Sequence, residues 1–348
     1  LAMIGEQLGV LMDAEFLLET ALELEPEHAR LRYDYANLLL KMQKFGKARE
    51  QTDALLTSEP DNLRHVALHA NALAGVGEHE AAIEAYDRVI ADRDGQFVLH
   101  VMRGHAHKTV GQLQDAIASY KTAYRMQPLY GDAFWSLANT KAYRFTDDEV
   151  AHMRRAEADE RIGVDDRIHM CFALGKALED AGEYEDSFTY YERGNLLKQG
   201  VVKHRRDFLA KRVEAQKSVC TSELFHRRRG VGCTAKDPIF IVGLPRAGST
   251  LLEQILASHS LVDGTMELPN VIALSQRLRG PVGQTAETEQ NPRYPQILAE
   301  LENEYFLRFG EQFIEDTRVY RQEAPFFLSL IHISEPTRLL RRSRMPSS

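Results

Sequence analysis

Along the first half of the chain, small and apolar residues return with a period of 34 positions. Ala14, Ala48, Ala82 and Ala116 share one place in that period, and Ala36, Ala70, Gly104 and Ala138 share another. Pro26, Pro60, Asp94 and Pro128 fall at a third place, and Gly9, Gln43, Gly77 and Gly111 at a fourth. Between them, leucines and aromatic residues recur at helical spacing, which marks faces buried against neighbouring helices. The pattern predicts pairs of helices. Small residues sit where the helices approach closely, the glycine-type position turns the chain, and proline ends the second helix. Each unit is too small to bury its apolar face alone, so the units must stack.

The unit starting near Gly131 keeps Phe134, Leu137 and Ala138 and then drifts. In it, Phe145-Thr146-Asp147-Asp148-Glu149 reads as an N-cap followed by an acidic first turn. The period returns from Ile168 to Asn195, with Leu174-Gly175, Gly182, Tyr184, Ser187 and Tyr191 in register. These positions resemble the tetratricopeptide repeat, with about five helix pairs. An all-α helical-repeat solenoid is therefore expected over residues 1–196. Its concave face is a surface for a protein or peptide partner, though no residue identifies that partner. His65 and His69 lie four apart on one helix, but no carboxylate or cysteine completes a ligand set, so no metal is expected.

Residues 197–237 change composition and read as a helical basic linker. Lys203-His204-Arg205-Arg206 and His226-Arg227-Arg228-Arg229 are its two basic clusters. They read either as a solvated face or as a rim around an anionic ligand. Gly230-Val231-Gly232 is a candidate hinge.

Beyond it the period changes. Ile239 to Val242 is a short apolar run bounded by Pro238 and Gly243, as expected of a buried parallel strand. Gly243-Leu244-Pro245-Arg246-Ala247-Gly248-Ser249-Thr250 follows, then a helix predicted over 250–258 with Leu251, Leu252, Ile255 and Leu256 buried. Strand, glycine-bounded turn and hydroxyl-led helix form a phosphate cradle, since amides and the helix dipole face an anion there. The spacing matches a Walker A loop except that Ser249 stands where the lysine belongs. That argues against ordinary NTP hydrolysis.

Pro-Arg-Ala-Gly-Ser-Thr (245–250), Glu-Gln-Ile-Leu-Ala-Ser-His (253–259) and Gly-Thr-Met-Glu-Leu-Pro (264–269) resemble the start of a sulfotransferase domain. The resemblance is to the tyrosylprotein-type branch and to bacterial proteins that join such a domain to tetratricopeptide repeats. It implies a partial α/β P-loop-like domain over residues 238–327. It also implies 3′-phosphoadenosine 5′-phosphosulfate as donor, held by Arg246, Ala247, Gly248, Ser249 and Thr250, with no metal. Arg246 and Glu267 are the implied catalytic residues, Glu267 taking the proton from an acceptor hydroxyl. Geometry permits this. The helix carries the chain out roughly 13 Å, and 259–267 can span up to about 30 Å on the way back. A cap for a helix beginning at Leu268-Pro269 is the other reading of Glu267. Where the tyrosylprotein branch has an arginine this chain has Pro269, which leaves a protein tyrosine, a carbohydrate and a small hydroxylated metabolite all open as acceptors.

The family pattern continues to Phe327, where an Asp-Lys segment should follow, its lysine stabilising the leaving group. The chain instead reads Leu328-Ser329-Leu330-Ile331-His332-Ile333-Ser334-Glu335-Pro336. This resembles a translated sequencing-adapter read-through, so 328–348 is expected to be a non-native tail and the chain itself inactive. An interaction scaffold carrying a vestigial nucleotide loop is the alternative. A nucleotide kinase or NTPase is a distant third.

Composition narrows the classes further. The chain has 348 residues and a formal net charge of −8, which gives no reason to expect nucleic-acid binding. The cysteines, Cys171, Cys220 and Cys233, are scattered and odd in number, which suits a reducing, cytoplasmic setting. No apolar run approaches the roughly 18 residues of a membrane span. The absence of an initiator Met suggests a fragment.

Overall fold

The computed structural model describes residues 11–92, 95–201, 206–244, 247–265, 267–279 and 293–332. Among these residues the first eleven helices are α1 (Leu11–Leu24), α2 (Ala29–Lys41), α3 (Phe45–Ser58), α4 (Leu63–Val76), α5 (His79–Asp92), α6 (Phe97–Thr109), α7 (Leu113–Met126), α8 (Gly131–Ala138), α9 (Asp147–Ala158), α10 (Val164–Ala181) and α11 (Tyr184–Val201). α4 with α5, α6 with α7, and α10 with α11 pair as the 34-residue period predicts, whereas α8 packs chiefly against α10. Gly77 and Gly182 cap α4 and α10 in the left-handed conformation, and Gly111 and the non-glycine Gln43 hold the same sign of φ at the equivalent turns. The small positions are buried. A Cβ on Gly104 would stand 2.5 Å from the Tyr120 ring, so α6 and α7 touch only because the side chain is missing there.

The drifting unit is held by polar contacts. Thr146 and Glu149 form a reciprocal capping box at the start of α9. The hydroxyls of Tyr124 and Tyr143 both donate to Glu149, each at 2.7 Å. Phe134, Met153, Met170 and Leu174 build the core around it. His65 Nε2 lies 3.4 Å from Asn62 Nδ2, and His69 Nδ1 lies 3.0 Å from Thr52 Oγ1.

The chain then forms α12 (Arg206–Val219) and α13 (Ser222–Arg227), β1 (Pro238–Gly243), α14 (Ser249–Ala257), β2 (Val262–Asp263), α15 (Asn270–Arg277), α16 (Ile297–Glu300), α17 (Asn303–Asp316), a 3-10 turn (Arg318–Tyr320) and β3 (Phe326–His332). The strands form a parallel sheet in the order β1-β3-β2. On one face Ile241, Leu328 and Leu330 pack with Leu256 and Ala257 of α14. On the other, Phe313 of α17 sits 5.5 Å from Phe240 and 6.1 Å from Phe327, ring centre to ring centre. The boundary expected after Phe327 therefore falls inside β3. Leu328 to His332 pair with Ile239 to Gly243, because an apolar extended run satisfies a sheet interior whatever its origin. The rest of the expected tail, from Ile333, lies outside the described residues.

Contacts divide the chain into two compact units. One joins the chain up to Gln51 with the chain from α12 onward, and the other runs from Thr52 through α11. The division between these units lies inside α3, between Gln51 and Thr52. Within the first unit Gly46 of α3 meets Val319 of the 3-10 turn, where an added Cβ would come within 3.3 Å.

Of the two basic clusters, Lys203, His204 and Arg205 lie outside the described residues. The second is neither a solvated face nor a ligand rim throughout. Arg228 lies 4.8 Å over the Phe306 ring and donates to the Leu301 carbonyl and the Asn303 side chain. It fastens the connector onto the start of α17. Gly230 and Gly232 both have positive φ, a conformation glycine adopts without strain.

Candidate functional site

The site is built where β1 gives way to α14. Ala247 N–H donates to the Leu244 carbonyl at 3.2 Å and closes the turn. Gly248 is the N-cap of α14 at φ +83°, a conformation that a side chain would strain. It supplies no side-chain cap, so the partial positive charge of the helix end is not answered from within the cap itself. Ala247, Gly248 and Thr250 are exposed, whereas Ser249 is buried. Three of the expected donor-holding residues thus line an accessible surface, and Ser249 lies beneath it. Arg246 lies outside the described residues.

Glu267 arrives from the other side of the sheet. Val262 and Asp263 pair with Phe326 and Phe327 of β3. Thr265 Oγ1 then donates to the Leu328 carbonyl at 2.5 Å, and Leu268 is buried. Half-buried Glu267 sits between these two anchors. On β3, Leu328 pairs with Ile239 and His332 with Gly243. Helix α15 begins at Asn270, three residues beyond Glu267. The N-cap of α15 is Pro269, with no side-chain bond.

Helix α14 is rotated from its expected setting. Leu251, Leu252 and Ile255 are 68%, 47% and 58% exposed, and the buried residues are Ser249 and Glu253. The three-stranded sheet covers only one face of the helix, and the position of Leu256 and Ala257 against it fixes which face that is. Burial pushes the Glu253 pKa up.

Two supporting residues have roles that no local pattern displays, although Arg321 falls within the stretch that follows the family pattern. Arg321 donates to Asp237 at 2.7 Å, to Thr317 at 2.7 Å and to the Ile314 carbonyl at 2.8 Å, and lies over the Phe327 ring. It pins the start of β1 and the start of β3 to α17. Asp263 accepts the Gln322 N–H at 2.7 Å and fixes the entry to β3. Both act across more than fifty residues of sequence, beyond the reach of any local pattern.

Residues 238–345 match the sulfotransferase family, and residues 11–72 and 101–140 match the tetratricopeptide repeat. The chain is a repeat array joined to a sulfotransferase-family domain. Among curated relatives, an uncharacterized protein of Aquifex aeolicus (strain VF5) is 30% identical over 169 residues, covering 48% of this chain and 22% of that protein. The human DnaJ homolog subfamily C member 3 is 24% identical over 203 residues, covering 50% of this chain and 40% of its own length. The chain thus spans well under half the length of these relatives. Among solved structures, MamA is 14% identical with a TM-score of 0.37, covering 59% of this chain and 98% of MamA. A thermophilic TPR protein of Thermus thermophilus is 21% identical with a TM-score of 0.40, covering 50% of this chain and 95% of its own.

The loop that opens the sulfotransferase-family domain coincides with the turn described above. Among the described residues no helix is long and apolar enough to cross a membrane, and no three His, Cys, Asp or Glu residues group as a metal site.

Proposed function

We propose that the sulfotransferase-family domain binds 3′-phosphoadenosine 5′-phosphosulfate at the β1–α14 loop, and that its reaction is transfer of the sulfuryl group to an acceptor hydroxyl. The observation that carries this reading is the loop itself: a left-handed Gly248 opening α14 next to exposed Ala247 and Thr250, inside a segment that matches the family. The residue types suit a phosphosulfate. Helix-end amides and a hydroxyl donate to anionic oxygens, and a guanidinium, in the role assigned to Arg246, binds two at once. In the transfer, the bond from sulfur to the bridging oxygen breaks and its electron pair stays on the phosphate. A bond from the acceptor oxygen to sulfur forms, and the acceptor proton passes to the Glu267 carboxylate. Adenosine 3′,5′-bisphosphate and a sulfate ester result. Such transfer rests on positioning and charge stabilisation. The repeats would present the acceptor or a protein partner in a cytoplasmic setting.

One observation favours donor binding without turnover in this chain. β3 reads Phe-Phe-Leu-Ser-Leu, with Leu328, Ser329 and Leu330 all buried, so the strand brings no cation where the family's Asp-Lys segment is expected. Calorimetric titration with adenosine 3′,5′-bisphosphate tests the donor reading. Saturable binding is expected, weakened at least about tenfold (roughly 1.4 kcal/mol) by Arg246→Ala or Thr250→Ala. Absence of binding, or equal binding by both variants, overturns it. Sulfate transfer by the same chain would overturn the inactive reading alone.

A further inference from the structure

Glu253 is a carboxyl that the proposed reaction does not use. It is 8% exposed, and it makes no hydrogen bond or ion pair among the described residues. It stands one helical turn after Ser249, on the same buried face of α14. Side chains on a helix lean toward its N-terminus, so this carboxyl leans toward the loop end of α14, where Ser249 stands about 6 Å away along the helix axis. Among the described residues the strands packed against α14 offer it no cation, and Arg246 of the loop lies outside those residues. β1 carries no titratable side chain. On β2 the titratable group is Asp263, already engaged by Gln322. On β3 it is His332, whose side chain lies outside the described residues. At the far end of α14, His259 Nδ1 accepts the Leu261 N–H.

We propose that Glu253 takes up a proton when an anionic nucleotide occupies the loop, so that donor binding and proton uptake are a single linked event. The proposal rests on the donor reading above. A like charge within one turn disfavours the ionised carboxyl, as its burial already does. Linkage is reciprocal: an anion in the loop raises the proton affinity of Glu253, and an ionised Glu253 weakens the anion. The sign follows. Nucleotide affinity is greatest where Glu253 is neutral, and falls as pH rises through the carboxyl's pKa in the complex. A hydroxyl or amide at this position would leave affinity indifferent to that titration.

The test is calorimetry of adenosine 3′,5′-bisphosphate binding to the full chain, repeated across pH in buffers of different ionisation enthalpy. The slope of observed heat against buffer enthalpy counts the protons. A neighbouring anion that raises the carboxyl pKa by about 1 to 3 units gives a maximum uptake of about half to nine-tenths of a proton. Glu253→Gln should remove that uptake and flatten the affinity profile. Subtracting the Gln profile also removes the ligand's own phosphate titration, near pH 6. Glu253→Asp keeps a titratable carboxyl and should restore uptake, which covers the case in which the Gln variant fails to fold. Binding with no uptake in the unsubstituted chain, or the same uptake in the Gln variant, overturns the proposal and leaves the donor reading standing. Absence of any nucleotide binding overturns the donor reading, and this inference with it.

Discussion

The repeat unit from Thr52 to Val201 and the sheet region after Pro238 solve the same problem differently. In the repeats the buried apolar stripes face helices nearby along the chain, and the last helix, α11, leaves a row of large side chains (Tyr184, Phe188 and Leu196) exposed among the described residues. Tyr86, Tyr120, Phe134 and Leu137 are fully buried by neighbours one or two helices away. In the sheet region, β1 finds its partner β3 almost ninety residues downstream, and α14 turns three large apolar side chains to solvent. Local stacking completes itself as the chain extends, whereas a parallel sheet is only as complete as the strands that reach it. The repeats should therefore tolerate little change at their contact points, and the outer face of α14 should tolerate a great deal.

The largest effect is expected at Gly131. A Cβ there would collide with the Asp166 backbone carbonyl, and the Gly131 N–H is held by the Asp166 carboxylate at 2.9 Å. Gly131→Ala should cost at least about 3 kcal/mol in chemical denaturation followed by helical circular dichroism. A loss under about 1 kcal/mol would show that the joint between α8 and α10 yields.

A middle effect is expected at Glu149. Burial works against its charge, but donation from the Thr146 N–H and from the Tyr143 and Tyr124 hydroxyls outweighs it and holds the carboxyl below its ordinary value of 4.5. A depressed carboxylate contributes stability that is full above the unfolded pKa and is lost as pH falls through the folded one. The repeat unit should therefore weaken below about pH 4.5. Glu149→Gln should remove about 1 to 3 kcal/mol at neutral pH and abolish that part of the acid dependence. An unchanged acid profile in the variant would assign the dependence to other groups.

The smallest effect is expected on the exposed face of α14. Ile255→Gln should change stability by no more than about 0.5 kcal/mol. A larger loss would mean that this face is covered in solution.

The same contrast separates what the residues revealed from what they did not. The helix pairs were legible because Ala48, Ala82 and Ala116 are spaced by the geometry they serve, and Thr146 announced its helix through a cap three residues long. The loop was legible because Gly243 and Gly248 lie within one turn of each other. The facing of α14 was not legible. Leu251, Leu252 and Ile255 have the spacing of a buried stripe, and only the number of strands present decides that Ser249 and Glu253 go inward instead. Arg228 read as part of a charged surface because its partners, Leu301 and Phe306, lie more than seventy residues ahead. β3 was not legible because its residues follow no family pattern, while a sheet interior selects only for extended, apolar chain.

In the order β1-β3-β2, one edge of β1 has no strand beside it among the described residues, and along it Val242 is 57% exposed. Unpaired amides and carbonyls beside an apolar side chain act as a template for any extended segment. When this protein is heated or overproduced, losses to precipitate should begin at that border, through strand addition between molecules, while the helices of the repeat array are still intact. A rise in intermolecular β-sheet signal before any fall in helix content would be its mark. Val242→Lys would then be the simplest way to keep the protein in solution.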